Sequence, residues 1–331
     1  MTELRRGLVA LAAGLVAGLP RVAAAQPKPR VWRVGILRPA AAPLSPTDPQ
    51  AAGVPKALRE LGYDEGRNLV VERRYGDGDI DRLPALAREL VRARVDVIVA
   101  VGSDAPRAAK AATSTVPIVM FGNFDPVALG LVSSLAVPGG NLTGVLIAPD
   151  GTLAGKRMEL LKAAVPKATR MALLAPADEP SFGLQLRETQ KAAVALGISL
   201  SVVEVRGGDY ARAFAAIEAQ QPAALLVGSH TYFLRDRQQI IALAAKYRLP
   251  AMYEWREQAQ DGGFMAYSTS LYGLYQRIAS HIDRIFKGTN PGDIPIEQPT
   301  RFELVVNLKT AKALGVVISP ALRLQVDEVI E

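Results

Sequence analysis

Residues 95–103 read VDVIVAVGS, and residues 224–229 read ALLVGS. Each is a short run of aliphatic and β-branched residues that stops at Gly-Ser. Runs that are apolar throughout, rather than alternating, belong to strands covered on both faces, as in a parallel sheet. Working outward from 95–103, VWRVGIL (31–37), NLVVERRY (68–75) and VPIVMF (116–121) have the same character. The intervening segments 50–62, 79–94 and 104–113 carry apolar residues at helical spacing, most clearly Leu83, Leu86, Leu90 and Val91. Strands alternating with helices predict βαβ units in an α/β fold.

Working outward from 224–229 gives the same series again. TRMALLAP (169–176) repeats WRVGILRP (32–39), and Leu196-Gly197 repeats Leu61-Gly62. SVVEV (201–205) repeats LVVER (69–73), and Gly208-Asp209 stands where Gly76-Asp77 or Gly78-Asp79 stands. LPAMYE (249–254) repeats VPIVMF. This order predicts a duplicated α/β unit. Open parallel sheets bind ligands at the carboxyl ends of their strands, so two facing units make one cleft. The connection between the units is expected near Gly144–Leu153 and the return near Tyr267–Tyr272. The return leads into a helix at about 271–287 with Leu274, Ile278, Ile282 and Ile285 on one face. FELVVNL (302–308) predicts a further strand, followed by a helix at 308–314. The expected division is lobe I at 27–146 and 271–300, and lobe II at 147–270 and 301–331.

The chain has 331 residues, more than the roughly 250–300 one hydrophobic core usually serves, which also argues for two lobes. With 49% hydrophobic and 21% charged residues it is globular rather than disordered. It has no cysteine, which excludes disulfides, a cysteine nucleophile and a lipid-modified cysteine anchor. His230 and His281 are its only histidines, too few for a histidine metal cluster. No metal or cofactor is expected. The formal charge of +7 is modest for this length and does not single out nucleic acid or membrane as a partner.

The first 25 residues have the pattern of an export signal. Arg5 and Arg6 precede an apolar run from Gly7 to Leu19, and Ala23-Ala24-Ala25 offers a small-residue cleavage site before Gln26. The run is too short to span a bilayer and is interrupted by Pro20 and Arg21. The expected mature protein is periplasmic, monomeric and without a membrane anchor.

LRELGYDEGRNLVVERRY, DRLPALARELV, VDVIVAVGS, VPIVMF, PGGNLTG and GKRMELLK together resemble the ABC-transporter substrate-binding family that includes tryptophan- and tyrosine-type receptors. PTRFELVVNLKTAKALG and the closing DEVIE extend the resemblance over nearly all of Val31–Glu331. It implies a type I periplasmic-binding-protein fold, two Rossmann-like lobes joined by three hinge crossovers that close on a small solute. It also implies two partners, a membrane permease and its cytoplasmic ATPase. Four positions depart from the family pattern. Arg38 stands where a small hydroxyl residue is common, Ala175-Pro176 where Asn-Pro is common, Ser229-His230 where Asp-Pro is common, and Tyr267-Ser268 where Tyr-Gly is common.

The candidate ligand-binding residues follow the strand ends. Gly102-Ser103 leads into a helix beginning at Asp104, where free N–H groups and the positive helix end suit an anion. Ser103 is equally suited to capping that helix. The matching Gly228-Ser229 favours a paired site in which Ser103 and Ser229 approach one carboxylate or phosphate from two sides. Asn123 and Asp125 follow VPIVMF, with Asp125 open to pairing with a ligand amine or to capping. Asn141 and Thr143, in PGGNLTG, are placed near the cleft by the turn that precedes the hinge. In the second half, Asp178 and Ser181 lie in the loop after the first strand, and Tyr253, Glu254 and Trp255 follow the fourth. Tyr253 is the stacking candidate, with a core position as its alternative. Tyr267 ends GGFMAY at the hinge or cleft.

Other patterns fail on inspection. DGTLAGKR (150–157) lacks the first glycine and the Ser/Thr of a P-loop, and no GxGxxG follows the first strand. Ser229 and His230 are adjacent and would point apart, so they do not form a catalytic pair. His281 is expected on the surface of the long helix or between the lobes. RRYGDGDIDR (73–82) mixes charge signs and reads as a solvated helix start rather than a nucleic-acid patch. The expected function is a non-enzymatic receptor for a small ligand, an amino acid or related carboxylate. An exported enzyme using Asp125 and Glu254 is one alternative, and a ligand-sensing partner of a membrane receptor is the other.

Overall fold

From Trp32 the chain winds strand, helix, strand, as its apolar runs predict. In the computed structural model, which describes residues 30–43, 45–147, 152–177 and 182–331, these elements are β1 (Trp32–Arg38), α1 (Pro49–Glu60), β2 (Leu69–Tyr75), α2 (Leu83–Arg92), β3 (Val97–Val101), α3 (Asp104–Ala112), β4 (Ile118–Gly122) and β5 (Leu142–Leu146). The five strands are parallel in the order β2-β1-β3-β4-β5. The pleat sends alternate residues to opposite sides, and both sides are covered. Val97, Val99 and Val101 share one core with Ile36, Val119 and Val145, while Ile98 and Ala100 share the other with Leu37, Ile118 and Met120. This is why the strands are apolar throughout.

The second sheet follows after α4 (Thr152–Ala164). Its elements are β6 (Arg170–Pro176), α5 (Gly183–Ala195), β7 (Ser199–Val205), α6 (Tyr210–Ala219), β8 (Ala224–Val227), α7 (Thr231–Arg235), α8 (Arg237–Lys246), β9 (Ala251–Tyr253), α9 (Arg256–Gln260) and β10 (Met265–Ser268). These strands run in the order β7-β6-β8-β9-β10, the winding of the first sheet repeated strand for strand. The internal duplication is therefore present in the fold. β11 (Glu303–Asn307) extends this sheet antiparallel to β10, and β12 (Glu328–Ile330) pairs with β11.

Between β10 and β11 the chain returns to the first sheet. α10 (Leu271–Phe286) packs on α1, β4 and β5 through Leu271, Leu274, Tyr275, Ile278, Ile282 and Phe286. Gly53 in α1 permits this approach, because a Cβ there would stand 2.1 Å from the Tyr275 ring. Glu297 then bridges to Val145 before the chain re-enters the second sheet. The sheets are thus linked near 147–152, 268–271 and 297–303. α11 (Leu308–Leu314) and α12 (Pro320–Arg323) complete the second lobe.

One expectation is corrected here. His281 is neither superficial nor between the lobes, being 1% exposed on the inner face of α10. Its Nδ1 lies 2.8 Å from the Arg277 carbonyl and its Nε2 3.3 Å from that of Pro295, so whichever ring nitrogen carries the proton has an acceptor despite burial. Among the described residues, no helix is long and apolar enough to cross a membrane. The expected signal segment, residues 1–25, lies outside the described residues.

Candidate functional site

The carboxyl ends of β1, β3, β4 and β5 face those of β8 and β9 across one cleft. Its first wall carries Arg38, Ser103, Asp104, Phe121, Asn123, Phe124 and Tyr275, and its second carries Phe182, Gln185, Ser229, His230, Glu254 and Trp255. The walls touch. Arg237 lies 2.8 Å from the Asp48 carboxylate, and Gln50 Nε2 donates to the Thr231 carbonyl at 3.0 Å. Leu234 and Trp255 of the second lobe join the same apolar cluster as Leu271 and Tyr275 of the first. The space left between them is about 80 Å³ and remains partly open to solvent.

On the second wall one guanidinium ties three strand ends together. Arg157, on α4 and 1% exposed, donates through Nε to the Tyr267 carbonyl at 2.8 Å and through Nη1 to Ser229 Oγ. Its Nη2 lies 3.3 Å from Glu254 Oε1. Burial pushes the Glu254 carboxyl above the usual range, and the charge of Arg157 and a bond from Ser229 pull it back. Gln185 holds the Ser229 backbone on both sides, accepting its N–H at 3.1 Å and donating to its carbonyl at 3.1 Å.

The first wall is organised differently. Arg38 leaves the end of β1 and is 3% exposed, yet among the described residues its Nη1 meets a neutral acceptor, Gln50 Oε1, at 3.3 Å. Burial raises the Tyr275 phenol, and the nearby Arg38, which hydrogen-bonds it, works in the opposite direction. Among the described residues, no carboxylate forms an ion pair with Arg38. Asp48 is taken by Arg237, and Asp104 accepts the Ser103 hydroxyl at 3.1 Å. Aromatic rings sit on glycine backbones in both walls. A Cβ on Gly122 would stand 2.9 Å from the Phe124 ring, and one on Gly228 2.6 Å from the Phe182 ring.

Of the residues singled out in the sequence, Ser103, Asp104, Asn123, Ser229 and Glu254 meet in this cleft. Neither serine caps a helix through its hydroxyl. Ser103 makes no capping bond to α3, and α7 is capped by the His230 ring instead.

The others lie elsewhere, each for a visible reason. Asp125 is exposed, and its Oδ1 accepts the N–H groups of Val127 and Ala128 at 2.9 and 3.0 Å, so it closes a turn. Asn141 precedes β5, at the end of the sheet away from the cleft, and donates to the carbonyls of Thr113 and Val116. Thr143, fully buried, donates to the Ile294 carbonyl at 2.8 Å. The pleat of β9 turns Tyr253 into the core with Phe214 and Ile240, opposite Met252. Its neighbour Glu254 reaches the cleft. Tyr267 packs beside Phe302 at the return crossover and serves the site through its carbonyl. Asp178 and Ser181 lie outside the described residues.

Sequence reasoning missed Gln50, Arg157, Phe182 and Gln185 as site residues and noted Arg38 only as a departure, while Trp255, named beside Glu254, does line the cleft. Arg157 did leave a signal. It stands four residues after Leu153 and four before Leu161, a cation inside the buried stripe of α4.

Two five-stranded parallel units of identical winding, three crossovers and a cleft at the strand ends define a type I periplasmic-binding-protein fold. The ABC transporter substrate binding protein family matches residues 45–330, and the chain belongs to it. The tyrosine-binding protein of Clostridioides difficile strain R20291 is 25% identical over 274 residues, 81% of this chain and 76% of that protein. A conserved domain protein of Vibrio cholerae has a similar structure, with a TM-score of 0.79 and 22% identity over 91% of this chain and 100% of that one. So does an ABC domain from Streptococcus pneumoniae in complex with L-Trp, with a TM-score of 0.77 and 22% identity over 90% of this chain and 100% of that one. The protein is therefore a substrate-binding protein of the ABC-transporter class.

Proposed function

We propose that this protein is an exported receptor that captures a small carboxylate, an amino acid or close relative, and delivers it to an ABC importer by hinge closure. The observation that carries the proposal is the largely apolar cleft between the two lobes, where the charged side chains of Arg38, Asp104 and Glu254 are gathered among aromatic rings. Opposite charges around an apolar pocket suit a zwitterion with an apolar side chain. The binding of tyrosine or L-Trp by proteins of related sequence or fold supports the same ligand class.

Hinge closure is supported by the size of the space. About 80 Å³ is less than the roughly 150 Å³ in which an apolar cavity admits benzene. An amino acid therefore enters only when the lobes part, rotating about the three crossovers with lobe I as 27–146 and 271–300 and lobe II as 147–270 and 301–331. Closure then gives the permease and its cytoplasmic ATPase a shape to recognise. Cleavage after Ala25 would release the chain into the periplasm as a monomer.

An enzyme built on Asp125 and Glu254 is not favoured, because Asp125 is outside the cleft and Glu254 is held by Arg157. Mass spectrometry of small molecules released from protein purified from its native host tests the proposal. A stoichiometric small carboxylate, recovered unchanged after incubation, is the expected result. A neutral solute, or a chemically converted product, would contradict it.

A further inference from the structure

We infer that Arg38 is the anion-recognising residue of the cleft, receiving the ligand's carboxylate on the first lobe and, through Gln50, linking its capture to closure. The inference rests on the receptor role proposed above and departs from the paired serines as the anion site. Both serine hydroxyls are already engaged, Ser103 toward the Asp104 carboxylate and Ser229 by Arg157. Arg38 is the group that needs a partner. A guanidinium stays charged at any physiological pH, and burying it without a counter-ion is costly. At 3% exposure it is nearly cut off from water, and among the described residues its polar neighbours are a side-chain amide and a phenol.

Arg157 is held differently. That guanidinium is equally buried but meets Glu254, so the second lobe carries its own neutralising charge. Among the described residues the first lobe offers Arg38 no such carboxylate, which leaves its neutralisation to the solute. A carboxylate fits the planar fork of a guanidinium with two parallel hydrogen bonds, which a hydroxyl at this position cannot offer.

Gln50 supplies the link. Its Oε1 accepts from Arg38 at 3.3 Å while its Nε2 donates across the cleft to the Thr231 carbonyl at 3.0 Å. A guanidinium drawn toward a bound carboxylate and the amide that bridges the lobes are thus in direct contact. Gln50 acts as a positioning residue.

The test uses the full mature chain stripped of bound solute. Calorimetry compares L-tryptophan, L-tyrosine, L-leucine and indole-3-propionate with their amides, on wild type, Arg38→Gln and Arg38→Lys. A hydrogen bond to a charged group is worth about 10- to 100-fold in affinity. Wild type should prefer at least one acid over its amide by tenfold or more. Arg38→Gln should bring that preference close to one, and Arg38→Lys should keep more of it. Thermal melting without ligand separates recognition from a structural role, since removing an uncompensated cation should leave the melting temperature of Arg38→Gln unchanged or higher. Undiminished acid preference in Arg38→Gln, or a large fall in its ligand-free melting temperature, overturns the inference and leaves the receptor role standing. If wild type prefers the amides or binds none of the acids, both the inference and the proposed ligand class fall.

Discussion

The two walls of the cleft are built on the same winding, yet they handle buried charge in opposite ways. In the second lobe Arg157 is enclosed with Glu254, Ser229 and the Tyr267 carbonyl, and the group ties together the ends of β8, β9 and β10. In the first lobe Arg38 stands at the end of β1 with no carboxylate among the described residues to pair with. Duplication preserved the backbone and the places where side chains emerge. What emerges there diverged, leaving one wall electrostatically closed and the other in need of an anion.

The strongest way to break this comparison is to remove the cation of the closed wall. Arg157→Met leaves Glu254 buried without its partner, and breaking such a pair costs about 3–5 kcal/mol. Urea denaturation should show that loss, with much of it recovered in the Arg157→Met, Glu254→Leu double variant. A single-variant loss below about 1 kcal/mol would mean that the pair is not a structural unit. The equivalent neutralisation in the first lobe, Arg38→Gln, should not destabilise the ligand-free protein.

The two Gly-Ser corners sharpen the comparison. Gly228 is required for space, because a Cβ there meets the Phe182 ring at 2.6 Å and the Leu174 carbonyl at 3.0 Å. A Cβ on Gly102 would meet Pro39 at an ordinary 3.7 Å, but its φ is +82°, so its requirement is conformational. Gly228→Ala should cost about 1–3 kcal/mol by overpacking, and Gly102→Ala about 1 kcal/mol by backbone strain. Thermal denaturation of both variants checks the order. Equal losses would suggest that the corners are held for the same reason.

Between the walls, Arg237 holds Asp48 of the first lobe and Asp261 of the second. Asp48→Asn should favour the open form by about 1 kcal/mol, between the values for exposed and buried pairs. Small-angle scattering without ligand should show a larger radius of gyration for the variant. No expansion would mean that this contact does not govern opening.

The smallest expected effect concerns two tyrosines. Tyr63 donates to Asp283 at 2.8 Å in the first lobe, and Tyr210 donates to Asp236 at 2.7 Å in the second. Burial and the carboxylate push Tyr63 from 10.0 up to about 12, and they raise the more deeply buried Tyr210 further. A raised folded-state value means that the Tyr63 contribution is complete below pH 10 and disappears as the pH rises toward 12. Phenolate absorbance of wild type, Tyr63→Phe and Tyr210→Phe should assign the earlier of the two ionisations to Tyr63. The reverse order would contradict the burial difference between the lobes.

The sheets were legible because parallel strands covered on both faces need continuous apolar runs, and the repeated Val-Gly-Ser marked equivalent strand ends. The cleft was legible to the extent that strand ends predict it, which placed Ser103, Asn123, Ser229 and Glu254. Side-chain direction was harder to read. Tyr253 and Glu254 are neighbours, and only the pleat decides which enters the core. Asn141 and Thr143 misled because PGGNLTG runs into the amino end of β5, whereas ligands gather at carboxyl ends. Arg157 was overlooked because a buried cation is recognised by the partners it meets, and those come from strands 72 to 110 positions away.

Small-angle scattering of the mature protein, before and after saturation with the carboxylate identified from native material, most directly tests whether an anion completes the open wall and draws the lobes together. Compaction with the acid, and none with its amide at the same concentration, is the predicted result. An unchanged profile with the acid at full occupancy would contradict closure around an anion held by Arg38.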